Sequence, residues 1–450
     1  MEFVIIITYL LIIILIHFKV KDTVSRRLSL TYVSYWVISL LLCYVNPFDY
    51  FKVSDSTYWL LLGHVVAFMI GFVLFKARNN INEKKVSYFS VNKVTKNKLF
   101  IILFIICFVF VLVLFYRQRM LVALYTLGEL RGDFMSMILA DSGIAYLFYE
   151  IVGTGMFHFT LCLLSYMLLF ERKWFWICIL FVYDVIWAVV TGGRAQVMTL
   201  GFYFLSMYII ADYIQSIKNG TKSKYTFSTK AKLIISLSVI GLVLSLSIVS
   251  FMKQSTGDVD EEALVEGMSR LGMDIGEYSA GPIVAFDQGM KDSEIIPKKY
   301  QYGAATFCGT DYFLYIALRR FGIHEKTSYD ETTHVFQEAL MIIAPDRGWN
   351  YAYTSCMYYY HDLGVLGVIL ISFIFGIVTR RVISRLFVSA DIYNIAFFTF
   401  VCFCLYMSVF SGYTHKMVVV FYVSLLLAMS VHTQNRQKRI NQNLSRSHIK

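Results

Sequence analysis

The chain has 450 residues, 58% of them hydrophobic and only 16% charged, with a formal net charge of +11 and a mean hydropathy of +0.61. So few charges cannot cover a soluble protein of this size, and apolar runs of about 17–25 residues are long enough to cross a bilayer as helices. The runs lack the period-2 alternation of a membrane barrel. An all-α polytopic integral membrane protein is therefore expected, and the way the basic residues are distributed argues against nucleic acid as a partner.

In chain order, the first run, Phe3–Phe18, follows Glu2 rather than a basic segment. It ends at Phe18-Lys19-Val20, which is no small-residue cleavage site, so it is expected to be a retained helix. Further spans are expected at Leu30–Val45, Thr57–Phe75, Leu99–Tyr116, Ile144–Phe170, Trp174–Thr191, Gln196–Ile214, Leu233–Met252, Leu363–Thr379, Ile392–Phe410 and Met417–His432, about eleven in all. The loops between them alternate in charge. One set, from Lys19 to Arg27, Lys76 to Lys98, Arg172-Lys173, Lys218 to Lys232, Arg380 to Arg385 and Arg436 to Lys450, holds about 26 basic and about 4 acidic residues. The positive-inside rule places that set in the cytoplasm, with the N-terminus outside and the C-terminus inside.

Residues 1–252 then carry eight spans, 253–361 a large external loop, 362–433 three more spans, and 434–450 a basic tail suited to anionic lipid. Loops longer than about 15 residues are usually functional or disordered. The apolar stretches Ala304–Phe321 and Val335–Ala344 favour a folded cap with two or three helices. Cys308 and Cys356 are the cysteine pair within that loop, which leaves a disulfide between them open. The eight cysteines have no metal-ligand spacing, and no metal or cofactor is expected.

Thr191-Gly192-Gly193-Arg194 joins two spans on the external side. Two glycines give a tight turn, the next helix presents its N–H groups there, and Arg194 adds a bidentate donor. Such a junction suits a phosphate or diphosphate; a plain hairpin with a snorkelling arginine is the alternative. Asp184, His64, Glu150 and His158 lie inside spans, where ionisable groups face a cavity or a partner. His64, Glu150 and Arg194 all lie toward the outer side, which fits a cavity open outward. For Asp184 a structural hydrogen bond, and for each histidine a packing role, are the alternatives.

The stretch Asn350-Tyr351-Ala352-Tyr353-Thr354, followed by Tyr358-Tyr359-Tyr360-His361-Asp362-Leu363-Gly364-Val365-Leu366-Gly367 and then Gly376, resembles the oligosaccharide repeat-unit polymerases, the Wzy-type O-antigen polymerases. Thr191–Arg194 is similar to that family's Gly-Gly/Ser-Arg junction. The stretch from Ser279-Ala280-Gly281-Pro282 to Tyr302-Gly303-Ala304-Ala305-Thr306-Phe307 resembles its loop.

The resemblance implies an enzyme of the inner membrane that joins undecaprenyl-diphosphate-linked oligosaccharides into O-antigen or capsular polysaccharide, with a chain-length regulator and a flippase as partners. It implies cations for the leaving diphosphate, with Arg194 and the Gly192-Gly193 turn first and Arg270 and Arg347 from the loop. It also implies a general base for the acceptor hydroxyl. Related ligases place a histidine just before an Asn; here Trp349 precedes Asn350, so His361, Asp362 and His334 are the candidates. His334 and Glu338 would share a helical face, the spacing of a salt-paired structure. The rival reading is a lipid-linked oligosaccharide flippase or other secondary transporter using the intramembrane acids and histidines, although no repeated halves are visible. A non-catalytic assembly subunit would leave Arg194 at a helix start unexplained.

Overall fold

The computed structural model describes residues 2–75, 91–122, 124–125, 130, 134–139, 142–191, 194–219, 276–292, 295–297, 299–319, 321–322, 332, 341–345, 347–349, 353–429 and 431. The first half holds α1 (Glu2–Lys19), α2 (Thr23–Val45), α3 (Asp55–Leu74), the short α4 (Val91–Thr95) and α5 (Lys98–Val122). Next come α6 (Gly143–Glu171), α7 (Trp174–Val190), α8 (Arg194–Ile209) and α9 (Ala211–Asn219). The second half holds α10 (276–289), α11 (Cys308–Arg319), the strands β1 (Met341–Ala344) and β2 (Arg347–Trp349), α12 (Ser355–Val388) and α13 (Ile392–Met407). The last is α14 (Met417–Met429).

The protein is an all-α membrane protein. Among the described residues, five helices are long and apolar enough to cross a bilayer: α2, α3, α5, α6 and α12. A stretch of α8 and α9, bent by 48°, passes the same test as a pair and makes a sixth. The expected spans fall on helix except Leu233–Met252, which lies outside the described residues. Length and hydropathy thus support five or six crossings, short of the eleven expected. On α5, Leu99, Ile102, Ile105, Ile106, Val109 and Val113 are exposed while Phe104, Cys107 and Val111 are buried. That outer stripe is a surface made for lipid.

Among the described residues, the closest helix pair is α3 with α12. A Cβ at Gly71 would fall on the Phe373 carbonyl, and one at Gly376 on the Phe68 carbonyl. Small residues on both sides let the two backbones touch, the usual basis of helix association in lipid. His64 of α3 is buried in this seam, bonded to the Tyr32 hydroxyl at 2.8 Å and to the Ser372 hydroxyl at 2.5 Å. The packing reading of His64 therefore holds.

The two ends of the bundle differ. At the basic end, Asp22 caps α2 through the Ser25 N–H at 2.8 Å and pairs with Arg380 of α12 at 2.8 Å. Arg27 pairs with Asp212 of α9 at 2.6 Å. At the other end, α10 and the β hairpin lie over the 46–54 turn. The Phe51 N–H donates to the Ile343 carbonyl at 2.8 Å.

Three expectations for the loop change. The stretch Ala304–Phe321 contains α11, but Met341–Ala344 is a strand paired antiparallel with Arg347–Trp349. Ile342 and Ile343 favour extended backbone, and Pro345 restricts Ala344 from helical geometry. Cys308 and Cys356 are both buried and free, not a disulfide; the Cys308 thiol lies 3.8 Å from the His415 carbonyl. Helix α12 begins at Ser355 rather than Leu363, so the aromatic run Tyr358–Tyr360 is helical.

Candidate active site

The helix α12 is broken where the Asp-Leu-Gly-x-x-Gly stretch lies. Leu363 (φ −151°, ψ 24°) and Gly364 (φ 61°, ψ −144°) are non-helical. The left-handed φ favours glycine at 364, and a Cβ there would also press on the Tyr300 hydroxyl at 2.7 Å. A Cβ at Gly367 would fall on the Tyr359 carbonyl. The two glycines of the motif therefore serve one bend, each by lacking a side chain.

The bend frees the end of the first half-helix to bind the 301–306 turn. The Gln301 N–H donates to the His361 carbonyl at 3.1 Å, and the Tyr302 N–H to the Asp362 carbonyl at 3.1 Å. The Asp362 carboxylate is fully buried. One oxygen accepts the Ala305 N–H at 2.8 Å. The other accepts the Thr306 N–H at 3.0 Å and the Thr306 hydroxyl. The two resembling stretches, 302–307 and 358–367, are thus one structure, joined by a single carboxylate.

Around this junction the chain folds back from α13. His415 stacks flat on Tyr358, with centroids 4.8 Å apart and planes at 4°. A Cβ at Gly309 would fall on the backbone of residues 415–417, so the start of α11 packs there without a side chain between. Burial first, then the adjacent Lys416 charge, hold the His415 imidazole down to about 3, against the Gly412 carbonyl bond that raises it. The ring is neutral at physiological pH.

Beside His415 opens a cavity of about 130 Å³ lined by Glu150, His158, Thr199, Tyr413, Lys416 and neighbouring aromatic and apolar residues. It lies near the starts of α6, α8 and α14 and the ends of α7 and α13, so it belongs to one end of the bundle. His158 is bonded to the Tyr413 hydroxyl at 2.6 Å and the Tyr203 hydroxyl at 3.0 Å; it is a packing histidine on the cavity wall. Asp184 of α7 accepts the Thr160 hydroxyl at 2.7 Å, the structural bond that was its alternative reading.

The expected site residues separate as follows. Arg194 is the first residue of α8. Thr199, five residues along, lines the cavity, so the α8 start lies about 8 Å from it along the axis. Gly192, Gly193, Arg270, His334 and Glu338 lie outside the described residues. Arg347 is paired with Glu277 at 2.6 Å, and its guanidinium sits over the Tyr50 ring, 5.8 Å from the centroid. His361 and Asp362 stand together at the end of the first half of α12, both buried.

Sequence reading passed over Lys416. The available signal was a lysine between two late spans, on the side whose loops are acidic overall. It also passed over Asp287, a buried carboxylate of α10. Asp287 accepts the Ser54 N–H at 3.1 Å, the Ser54 hydroxyl and the Thr57 hydroxyl at 2.6 Å, and Lys291 donates to it at 2.5 Å. It caps α3 from another part of the chain, where Ser54 makes no side-chain cap of its own.

A family model described as O-antigen polysaccharide polymerase Wzy matches residues 1–390. No curated protein matches the chain, and no solved structure does.

Proposed function

Because the chain belongs to the O-antigen polysaccharide polymerase Wzy family, we propose that it joins undecaprenyl-diphosphate-linked oligosaccharide repeat units into a longer glycan at the outer face of the cytoplasmic membrane. The match over residues 1–390 carries this reading. The charge asymmetry of the loops supports the placement. The growing chain is the donor and the next lipid-linked unit the acceptor, so the enzyme is a glycosyltransferase with a polyprenyl-diphosphate leaving group. A chain-length regulator and a flippase are the proposed partners.

The leaving diphosphate is assigned to the Gly192-Gly193 turn and Arg194 at the start of α8, a helix terminus suited to anions. Arg270 is kept as a loop cation for it. Arg347, already paired with Glu277, is assigned to holding the loop. Asp362 is a positioning residue in this reading, because donors already engage both its oxygens. His361 sits beside it, and its carbonyl takes the Gln301 N–H at the same turn. His334 remains a candidate proton carrier. The flippase alternative draws on Asp184, Glu150, His64 and His158; of these, His64, His158 and Asp184 are hydrogen-bonded within helix packing, and Glu150 lines the cavity.

Deletion of the gene and complementation with the wild-type chain test the reading. Long polysaccharide ladders should disappear on deletion and return on complementation, with single repeat units persisting meanwhile. Unchanged ladders in the deletion strain would remove the polymerase reading. Loss of single units as well would favour translocation.

A further inference from the structure

We propose that Glu150 and Lys416 face each other across the reaction centre, Glu150 as the general base for the acceptor hydroxyl and Lys416 as a cation for the departing diphosphate. This rests on the polymerase reading above.

The cavity of about 130 Å³ is lined by both residues. Carboxylate, ammonium, hydroxyl and aromatic side chains share its wall, the mixture that meets a sugar's hydroxyls and ring face. Glu150, half-buried at the cavity wall, differs from the buried acids. Asp287 and Asp362 are held by donors from their neighbours, and Asp184 through one of its oxygens; no described residue gives Glu150 a hydrogen bond of that kind. A carboxylate kept in a spanning helix without such a structural partner is a functional residue by default.

The local backbone is also unusual. Glu150 lies in a π-helical stretch, Phe148–Gly153, inside α6. Such wide turns lose regular packing and recur at functional sites. Lys416 immediately precedes α14, so its ammonium is joined there by the positive end of a helix. The start of α8, with Arg194, stands near the same void through Thr199. Glu150, Lys416 and the first turn of α14 thus meet at one cavity.

The step balances as follows. The acceptor sugar hydroxyl gives its proton to the Glu150 carboxylate. Its oxygen forms a bond to the anomeric carbon of the donor glycan. The bond from that carbon to the diphosphate oxygen breaks, and its electron pair leaves with the polyprenyl diphosphate, whose charge Lys416 stabilises. The protonated Glu150 then releases its proton to solvent.

Two variants in the complemented deletion strain and in purified full-length protein test this. Glu150→Gln should keep wild-type membrane levels and wild-type binding of undecaprenyl diphosphate, yet lower polymer formation by about 10²–10⁴-fold, with Glu150→Asp partly restoring it. Lys416→Met should weaken binding of undecaprenyl diphosphate by about 10-fold. Normal ladders with E150Q, or equal binding by K416M, would overturn the assignment while leaving the polymerase reading intact. That reading stands or falls on the deletion itself. If E150Q fails to accumulate, the K416M binding result alone decides.

Discussion

Thr57 and Asp287 stand 230 positions apart, yet the Thr57 hydroxyl donates to the Asp287 carboxylate at 2.6 Å. With the Ser54 N–H on the same oxygen at 3.1 Å, this contact makes α10 the cap of a membrane-spanning helix. Asp287→Ala should leave the Ser54 and Thr57 donors and Lys291 without their acceptor, at about 3 kcal/mol. Thermal unfolding in detergent should show a lower midpoint and protease cleavage near α10. An unchanged midpoint would mean the cap carries no stability.

The same carboxylate sets an acid limit. Burial alone would push the Asp287 carboxyl up, but bonds from Lys291, Ser54 and Thr57 outweigh it and hold it below the usual carboxylate value. A carboxyl held low in the folded state stabilises fully above its unfolded value, about 4. It loses that contribution as pH falls through the folded value. The stability gap between wild type and Asp287→Asn should therefore be constant near neutrality and shrink below about pH 4. A gap that widened with acid would contradict this account.

Asp362 joins the two halves of the motif region. Asp362→Ala would leave the buried Ala305 and Thr306 N–H groups unpaired, a loss of about 3 kcal/mol or more. Polymer ladders should vanish and the 301–306 turn should become protease-sensitive. Asp362→Asn keeps one acceptor oxygen and should fall between. Full ladders with the alanine variant would show that the turn does not need its anchor.

Gly376 is a matter of space alone. A Cβ there meets the Phe68 carbonyl and comes within 2.8 Å of the Phe72 nitrogen. Gly376→Val should force α3 and α12 apart at about 1–3 kcal/mol, seen as lower membrane accumulation. Gly201, whose added Cβ meets nothing within 4 Å, is the control, and Gly201→Ala should accumulate normally. Equal yields from both would argue against close packing at this seam.

Arg194→Ala should lower chain extension by about 10²-fold or more, as expected for losing a donor to a leaving group, while single repeat units still form. Arg194→Lys should recover only part, because an ammonium cannot bind a phosphate in the bidentate manner. Banding of the cell-surface polysaccharide reads this directly. Long ladders from the alanine variant would remove Arg194 from the site.

The helical bundle was legible in the sequence because hydropathy is a local property: each span announces itself without its neighbours. The Asp362-Leu363-Gly364-Val365-Leu366-Gly367 stretch was legible as a motif, but its physical content was not. That a left-handed Gly364 bends the helix and turns Asp362 into an anchor for Ala305 and Thr306 depends on residues more than fifty positions away. That the aromatic run Tyr358–Tyr360 is helical shows only once the bend is known. Lys416 escaped notice for a related reason. Its meaning lies in Glu150, 266 residues earlier in the numbering, and no periodicity connects residues so far apart. The strand at Met341–Ala344 was lost to a hydrophobic count that weighed its isoleucines as apolar, not as β-branched.

Two carboxylates, Asp287 and Asp362, tie described parts of the 276–354 segment to α3 and α12 at separate points. A soluble fragment excised between 276 and 354 would keep the Ala305 and Thr306 amides but lose the acid they bind, and would keep Asp287 with nothing left to cap. The segment is better regarded as a lintel than as a lid. It is built into the doorway it spans, and cannot be lifted out for study without the posts.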